Sequence, residues 1–422
     1  MYITALRPYT LKRVEEIAKA DILVGIPSYN NEQTIAHVIQ MVSHGLDQYY
    51  KDHKNVIMIA DGGSTDDTRE VVKEFQLKPW QEKLLSIYRG PSGKGTAFRS
   101  IFEVAARLEV EACMVVDSDI RSITSDWVSH MLSPVLEKGY QYVTPIYCRH
   151  KYDGTITNNI VYNLTRALYG KRLRQPIGGD FAFSPDLATY FIQQPVWDSE
   201  IARFGIDIWM TTQAIVDNFR ICQANLGVKI HDLKDPAAHL APMFRQVVWT
   251  VFNLMEQNES FWKTIKKSEP VDSFGVEFCL EPEPVQVDLE ALIYKFKVGF
   301  KQFGTFWKDI LDSSSYGVLK RAYRMDSQEF NIPIEAWVCT LYELAATFHH
   351  WPINRNKLID LMTPLYHGRV ASFVQETQAM DTAGAEAVVE RQAGAFEENK
   401  EYLIKFWNKK SNIFEKLSKN IF

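Results

Sequence analysis

The five cysteines, Cys113, Cys148, Cys222, Cys279 and Cys339, are scattered along 422 residues and odd in number. None lies in a Cys-x-x-Cys pair, so their spacing suggests neither a zinc site nor a disulfide framework, and a reduced, cytoplasmic setting is expected. No uninterrupted apolar run approaches the roughly 18 residues of a membrane span. The first stretch mixes Arg7, Lys12, Arg13, Glu15, Glu16 and Lys19 with apolar residues, unlike a signal peptide. A basic excess is missing as well. The formal net charge is −5, which argues against a chain that coats nucleic acid, because phosphate contacts need clustered Lys and Arg. Gly93-Lys94-Gly95 lacks the spacing of a phosphate-binding P-loop. There is no internal repeat and no long low-complexity tract. What remains is ordinary globular material: a 46% hydrophobic content allows a large core, and the length allows two or three domains.

Short apolar runs alternate with helical patterns through the first half. Ile22–Pro27, Val56–Ala60, Leu84–Tyr88, Ala112–Val116, Tyr140–Ile146 and Ile221–Val228 read as strands. Between them, Ile35, Val38, Ile39 and Val42, then Val71, Val72 and Phe75, then Phe98, Ile101 and Ala105 recur at helical spacing. Alternation with short connections makes a mostly parallel α/β sheet flanked by helices the economical solution. Residues 1–265 read as this domain. From 266 to 288 the texture changes to Glu269-Pro270 and Glu281-Pro282-Glu283-Pro284, a linker composition. Residues 289–422 read as a C-terminal α-helical region. Its aromatic faces suit a homodimer contact or a lid. The Ala- and Glu-rich stretch from Asp381 to Glu398 reads as an exposed helix or a partly disordered segment.

Three βα loops leave the same end of such a sheet, where open α/β folds bind ligands. They carry Asp61, Lys94 and the pair Asp117/Asp119. Asp117 and Asp119 close an apolar run, and residues i and i+2 of a strand point the same way. Paired hard carboxylates suit Mg²⁺ or Mn²⁺ bridging phosphates, although Asp also serves turns and helix caps. Asp119 offers an oxygen ligand and His231 an imidazole. Asp61 or Glu32 offers a carboxylate to a ribose or base. A cation neutralises a departing nucleoside diphosphate, and Lys94 assists electrostatically. This chemistry suits sugar transfer from a nucleotide sugar.

Pro27-Ser28-Tyr29-Asn30-Asn31-Glu32, Asp61-Gly62-Gly63-Ser64-Thr65-Asp66-Asp67-Thr68 and Asp117-Ser118-Asp119 occur in that order. Together they resemble the nucleotide-sugar domain of GT-A glycosyltransferases. Gln175-Pro176-Ile177-Gly178-Gly179-Asp180 and Asn225-Leu226-Gly227-Val228-Lys229-Ile230-His231 resemble the retaining glucosyl-3-phosphoglycerate and glucosylglycerate synthases. Phe204-Gly205-Ile206-Asp207 and the aromatic C-terminus around Trp337 are similar to mannosylglycerate synthase.

The resemblance implies a GT-A (Rossmann-like) fold and a retaining, metal-dependent hexosyltransferase. Asp119 and His231 would bind the cation, with Asp117 beside it. Pro27, Tyr29, Glu32, Asp61, Ser64, Asp117, Ser118 and Gly178 would line the nucleotide-sugar slot. Lys94 would sit near the diphosphate. Gly179, Asp180 and Asp207 would meet the donor sugar and reacting centre. An arginine that holds the acceptor phosphate in phosphoglycerate-using relatives aligns here with Asn158 or Asn159, which favours glycerate. Arg149, Lys151, Arg166, Lys171 and Arg172 remain as partners for an acceptor carboxylate or phosphate. Competing readings are 3-phosphoglycerate as acceptor, mannosyl transfer, or transfer to a polysaccharide or lipid-linked sugar. A nucleotidyltransferase ranks lower, since its glycine-rich, Arg-Lys-bearing N-terminal loop is absent.

Overall fold

The computed structural model describes residues 3–231, 241–275, 282–351 and 354–409. Contacts divide the chain into two units. The first comprises Met1–Arg149, Leu173–Leu233 and Pro270–Glu283; the second comprises His150–Arg172, Lys234–Glu269 and Pro284–Phe422. Both are discontinuous in sequence, where the sequence reading expects consecutive blocks. Composition reports where helix texture begins, not which sheet or helix a returning segment packs on.

In the first unit, α1 (Pro8–Ile17) precedes β1 (Ile22–Ser28), α2 (Ile35–Tyr49), β2 (Asn55–Asp61), α3 (Thr68–Glu74), β3 (Gln81–Ile87), α4 (Lys94–Arg107), β4 (Ala112–Val115), α5 (Asp126–Lys138) and β5 (Tyr142–Cys148). The second unit then supplies a π-helical turn (Thr157–Val161), α6 (Tyr162–Tyr169) and β6 (Lys171–Arg172). The chain returns to the first unit with β7 (Phe181–Phe183), α7 (Pro185–Gln193), α8 (Ile206–Val216) and β8 (Ile221–Val228). β9 (Glu269–Pro270) pairs with β6, and β10 (Ser273–Phe274) closes the main sheet. That sheet has eight strands in the order β10-β8-β5-β7-β4-β1-β2-β3. Its pairings are parallel except those of β7, which runs antiparallel between β4 and β5.

The parallel strands are apolar on both faces because helices cover both. Val24, Ile26, Ile57, Ile59, Met114 and Val116 are fully buried in one cluster with Val38, Val128 and Met131. Gly25 is needed for close packing: a Cβ there would lie 2.5 Å from Ile101 Cγ2 of α4. The short β7 was not anticipated. Three residues give no readable periodicity, and only the register Val115↔Phe181 and Val143↔Ala182 defines them. The pairing that makes Asp117 and Asp119 face alike also fails, because β4 ends at Val115 and 118–119 form a turn.

The second unit continues with α9 (Ala241–Gln257), α10 (Glu259–Trp262), α11 (Leu289–Ile310), α12 (Ser313–Arg324), α13 (Ile334–His350), α14 (Arg355–Thr377), α15 (Thr382–Glu398) and α16 (Lys400–Asn408). Residues 289–409 are therefore helical where described, as their spacing predicts. Within the expected linker, 276–281 lie outside the described residues. The Asp381–Glu398 stretch is an ordered helix. Asp381 caps it by accepting from Gly384 N at 2.7 Å, and Ala385, Val388, Val389, Ala393 and Phe396 are buried. An Ala-rich stripe supports close helix packing, which composition alone reads as exposure.

Among the described residues, Cys113, Cys222 and Cys339 are free thiols. Among the described residues, no helix is long and apolar enough to cross a membrane.

Gly25→Ala forces Ile101 and the helix bearing Lys94 away from β1. A loss of about 1–3 kcal/mol in urea denaturation is expected from such overpacking.

Candidate active site

The carboxyl ends of β1, β2 and β4 carry interlocked loops. Asp61, the last residue of β2, folds the next turn onto itself. Its Oδ1 accepts from Gly63 N at 2.9 Å and Ser64 N at 3.0 Å, and its Oδ2 accepts from Ser64 Oγ at 2.5 Å. Asp61 is fully buried, so it builds the slot rather than offering a free carboxylate to a nucleotide. Ser64 Oγ in turn accepts from Asn30 N at 3.0 Å, tying the β2 loop to the β1 loop. Glu32 Oε2 accepts from Asp67 N at 3.0 Å and Thr65 N donates to Asn30 Oδ1 at 2.8 Å.

Asn31 joins these loops to β4, a role not assigned from the sequence. Its Oδ1 accepts from Tyr29 N at 3.0 Å and from Ser118 Oγ at 2.8 Å. Ser118 O accepts from Thr34 Oγ1 at 2.8 Å. Tyr29 remains 57% exposed and its ring edge lies beside Gly62, where a Cβ would sit 3.3 Å from Tyr29 Cδ2. An exposed aromatic at the edge of a parallel sheet is a platform on which a planar base can stack. Pro27 pairs with Ala60 in the β1–β2 ladder just before this loop.

Behind the loops lies a buried ion cluster. The antiparallel β7 starts where β4 ends, so Gly179 and Asp180 are carried beside Asp117. Gly179 has φ +93°, and a Cβ on it would fall 2.0 Å from Asp117 Oδ2; a glycine is required for both reasons. Asp117 N donates to Asp180 Oδ1 at 2.7 Å. Lys94, the first residue of α4, donates to Asp117 Oδ1 at 2.7 Å and approaches Gly179 O and Asp207 Oδ2 at 3.4 Å. Lys229, just beyond β8, donates to Asp117 Oδ2 at 3.1 Å, Gly178 O at 2.9 Å and Asp180 Oδ2 at 2.8 Å. The Tyr147 hydroxyl also donates to Asp180 Oδ2, and its ring lies 4.8 Å beneath the Lys229 ammonium. Asp207 sits in the first turn of α8, where the helix dipole favours a carboxylate. Its Oδ1 is buried and has no hydrogen-bond partner.

Two lysines against three aspartates leave this cluster one negative charge in excess when all five are ionised. Burial opposes ionisation of Asp117, but Lys94 and Lys229 outweigh it and hold its carboxyl well below the usual range. Burial likewise opposes the charge on Lys94, and Asp117 and Asp207 outweigh it, so its pKa is raised. The Asp207 pKa is pushed up by burial, with Lys94 pulling it down and Asp117 pushing it up.

The segments that carry Asp119 and His231 are brought together from distant sequence. Ile120 forms an antiparallel bridge with His231, and Arg121 N donates to Ile230 O at 2.8 Å. Ser122 Oγ locks the crossing by donating to Val228 O at 2.7 Å and accepting from Ile230 N at 2.8 Å. Among the described residues, no group of three or more His, Cys, Asp or Glu converges as a metal site. Asp117, expected beside the cation, has each oxygen taken by a lysine. Asp119 and His231 thus offer one carboxylate and one imidazole, a donor pair that fits a cation completed by diphosphate oxygens and water.

The residues expected at the acceptor divide between the units. Arg149 belongs to the first, stacked at 5.0 Å on the Tyr147 ring. Asn158, Asn159 and Arg166 belong to the second. There Arg166 is buried and pairs with Glu390 and Glu397, each at 2.6 Å, so its charge is spent inside the helices. Asn159 Nδ2 donates to Thr155 O at 2.9 Å, its backbone carbonyl accepts from Trp337 Nε1 at 2.8 Å, and the Asn158 carbonyl accepts from Gln392 Nε2 at 2.9 Å. Lys151 caps the carbonyls of Thr377, Gln378 and Met380, Lys171 pairs with Glu269, and Arg172 donates to Ser268. Of the residues that matter, Lys229 and Tyr147 were missed. The signal for Lys229 was its place two residues before His231.

Residues 23–190 match the model of glycosyl transferase family 2. The match spans less than half of the chain, and over that span the chain is similar to this family. No curated protein matches the chain. Among solved structures, it is similar to glucosyl-3-phosphoglycerate synthase from Mycobacterium tuberculosis in complex with Mg²⁺ and uridine-diphosphate. The identity is 25%, with 60% of this chain and 85% of that chain covered and a TM-score of 0.46. The same enzyme with Mn²⁺, uridine-diphosphate-glucose and phosphoglyceric acid matches at 26% identity, covering 60% and 86% with a TM-score of 0.45. Its complex with Mn²⁺, uridine-diphosphate-glucose and glycerol 3-phosphate matches at 25%, covering 59% and 85% with a TM-score of 0.44.

Lys229→Met leaves Asp180, which has no exposed surface, without its cation. A loss of about 3–5 kcal/mol in denaturant unfolding is expected for breaking a buried pair. Asp117 has a depressed folded pKa, so its stabilisation is present above the ordinary value of 3.8 and lost as pH falls through the folded value. Asp117→Asn therefore flattens the fall in unfolding free energy below about pH 4, read from urea midpoints across a pH series; an unchanged acid slope would show that the lysines do not hold Asp117 ionised.

Proposed function

We propose that this chain transfers a hexose, glucose in the first instance, from a nucleoside-diphosphate sugar to glycerate or a related small acceptor. The anomeric configuration is retained and a divalent cation is required. The observation that carries this reading is the crossing of the 118–122 and 228–231 segments, which carry Asp119 and His231, beside a cluster rich in buried charge. The base stacks against Tyr29, in a slot whose walls are set by Asp61, Ser64 and Asn31. Asp119 and His231 hold Mg²⁺ or Mn²⁺. When bound, that cation neutralises charge on the leaving diphosphate.

The chain's own residues do the rest. Lys94 lies between Asp117 and Asp207, and its ammonium stabilises negative charge that develops beside Gly179. Asp117 and Asp180 are positioning residues, since their oxygens are already occupied. Asp207 Oδ1 is the buried acceptor left over, and it takes a hydroxyl of the donor sugar. With Asp207 Oδ1 engaged by that hydroxyl and the Asp117 and Asp180 oxygens held by lysines, the substitution occurs on one face of the sugar without a protein nucleophile. The bond from C1 to the diphosphate oxygen breaks, the bond from C1 to the acceptor oxygen forms, and the acceptor proton passes to the departing phosphate oxygen.

The test is product formation from a panel of nucleoside-diphosphate sugars crossed with glycerate, 3-phosphoglycerate and simple sugars, with Mn²⁺ or Mg²⁺ present. Glucosylglycerate with retained configuration is expected. If no acceptor gains a hexose, the reading fails; transfer to 3-phosphoglycerate alone would move the acceptor assignment and keep the transferase. Asp119→Ala and His231→Ala are each expected to lower kcat/KM at least 100-fold, on the scale of lost metal-ion catalysis, and to abolish the Mn²⁺-dependent gain in nucleotide binding measured calorimetrically.

A further inference from the structure

The helical unit contains a cavity of about 390 Å³ in the size range of small-molecule sites. It is lined from α13, α14, α15 and the segment before α13, and includes Glu329, Glu335, Arg369, Gln375, Glu376 and Arg391. Arg369 is 1% exposed. Its Nε donates to Gln392 Oε1 at 2.8 Å and its Nη1 to Ile332 O at 3.1 Å. Its Nη2 is buried without a hydrogen-bond partner. Nη2 is in a long ion pair with Glu376 Oε2 at 3.6 Å, beyond hydrogen-bond distance. The other Glu376 oxygen is held by Arg391, whose side chain is 60% exposed. Glu376 is thus drawn toward the surface and leaves Arg369 undersatisfied. Gln375 presents a second orphan of opposite kind: its Nε2 donates to Gln328 O, and its Oε1 is buried without a partner.

Arg369 and Gln375 thus each bring to this cavity's lining a buried polar atom without a hydrogen bond, which is costly in a protein interior unless something supplies both partners. We infer that this cavity binds a small carboxylate that also carries a hydrogen-bond donor, a hydroxyl or an ammonium. The carboxylate completes Arg369 Nη2, where a planar anion matches the guanidinium fork. The donor completes Gln375 Oε1. Three glutamates against two arginines make the lining negative by one charge, which disfavours phosphate dianions and suits a monocarboxylate or a zwitterion. Burial lowers the Arg369 pKa to about 10, with Glu376 opposing the drop, so the guanidinium is charged at neutral pH and available to an anion.

The test is isothermal titration calorimetry on the full chain without nucleotide sugar or divalent cation. Glycerate, serine, glycerol and propionate share a three-carbon skeleton and differ in carboxylate and donor. Glycerate or serine is expected to bind at least tenfold more tightly than glycerol, which lacks the carboxylate, and propionate, which lacks the donor. The tighter of the first two identifies the donor as hydroxyl or ammonium. Gln375→Leu is expected to reduce glycerate or serine to the level of propionate, and Arg369→Met to abolish binding. Gln375→Leu changes a partly exposed side chain, so it keeps the test available if Arg369→Met does not fold. Transfer rates at saturating substrates are expected to be unchanged in Gln375→Leu. Glycerate bound at the transferase centre would survive that substitution, so failure here and failure of the proposed activity are separable. Absence of binding by all four compounds, equal binding of glycerol, or binding indifferent to Gln375→Leu would overturn the inference.

Discussion

The candidate site depends on keeping Asp117 ionised in a place from which water is largely excluded. A lone carboxylate buried at the end of β4 would take up a proton or refuse burial. Here two ammonium groups reach it from different parts of the chain, Lys94 from the start of α4 and Lys229 from the end of β8. Each lysine is in turn shared with a second aspartate, Asp207 or Asp180. Five charges from five elements therefore fix one another, and none can be removed without stranding another. Such a network is weak evidence for stability, because desolvation consumes much of its Coulomb attraction. Its effect is geometric: it locks the ends of β4, β7 and β8 and the starts of α4 and α8 into one register.

That register has consequences on both sides. Toward the sheet, β7 must run antiparallel so that Gly179 and Asp180 arrive beside Asp117. A glycine must stand at 179, since any Cβ would occupy the space of the Asp117 carboxylate. Toward solvent, the turn after Asp117 crosses the segment after β8, where Ile120, next to Asp119, bridges His231. The two aspartates of one three-residue motif thus serve different ends. Asp117 is an internal counter-charge, and Asp119 lies on the turn that crosses toward His231. The slot loops follow the same economy, because Asp61 and Ser64 bond each other and Asn31 bonds Tyr29 N and Ser118, while the Tyr29 side chain stays exposed.

The helical unit shows the same contrast between satisfied and unsatisfied polar groups. Arg166 is buried and fully used by Glu390 and Glu397, which makes it a fastener between α6 and α15. Arg369 is just as buried but retains an unused N–H at a cavity. The sequence presents both simply as arginines on apolar helices. Only the partner geometry separates one that holds helices together from one that awaits a ligand.

Much of the fold was legible because period and burial are local properties. Six of the seven parallel strands and their intervening helices repeat a pattern that a doubly covered sheet imposes on sequence, and the ordered loop motifs placed Asp61, Lys94, Asp117 and Asp119 at one edge. The sequence by itself therefore determined the architecture, the edge that carries the chemistry and the residue types gathered there. It did not determine which of those residues are free to act. Three-residue β7, the lysine cage on Asp117 and the His231 crossing all join residues far apart in the chain. Such contacts are decided by register and by the mutual neutralisation of buried charges, and neither leaves a trace in the spacing of any one segment.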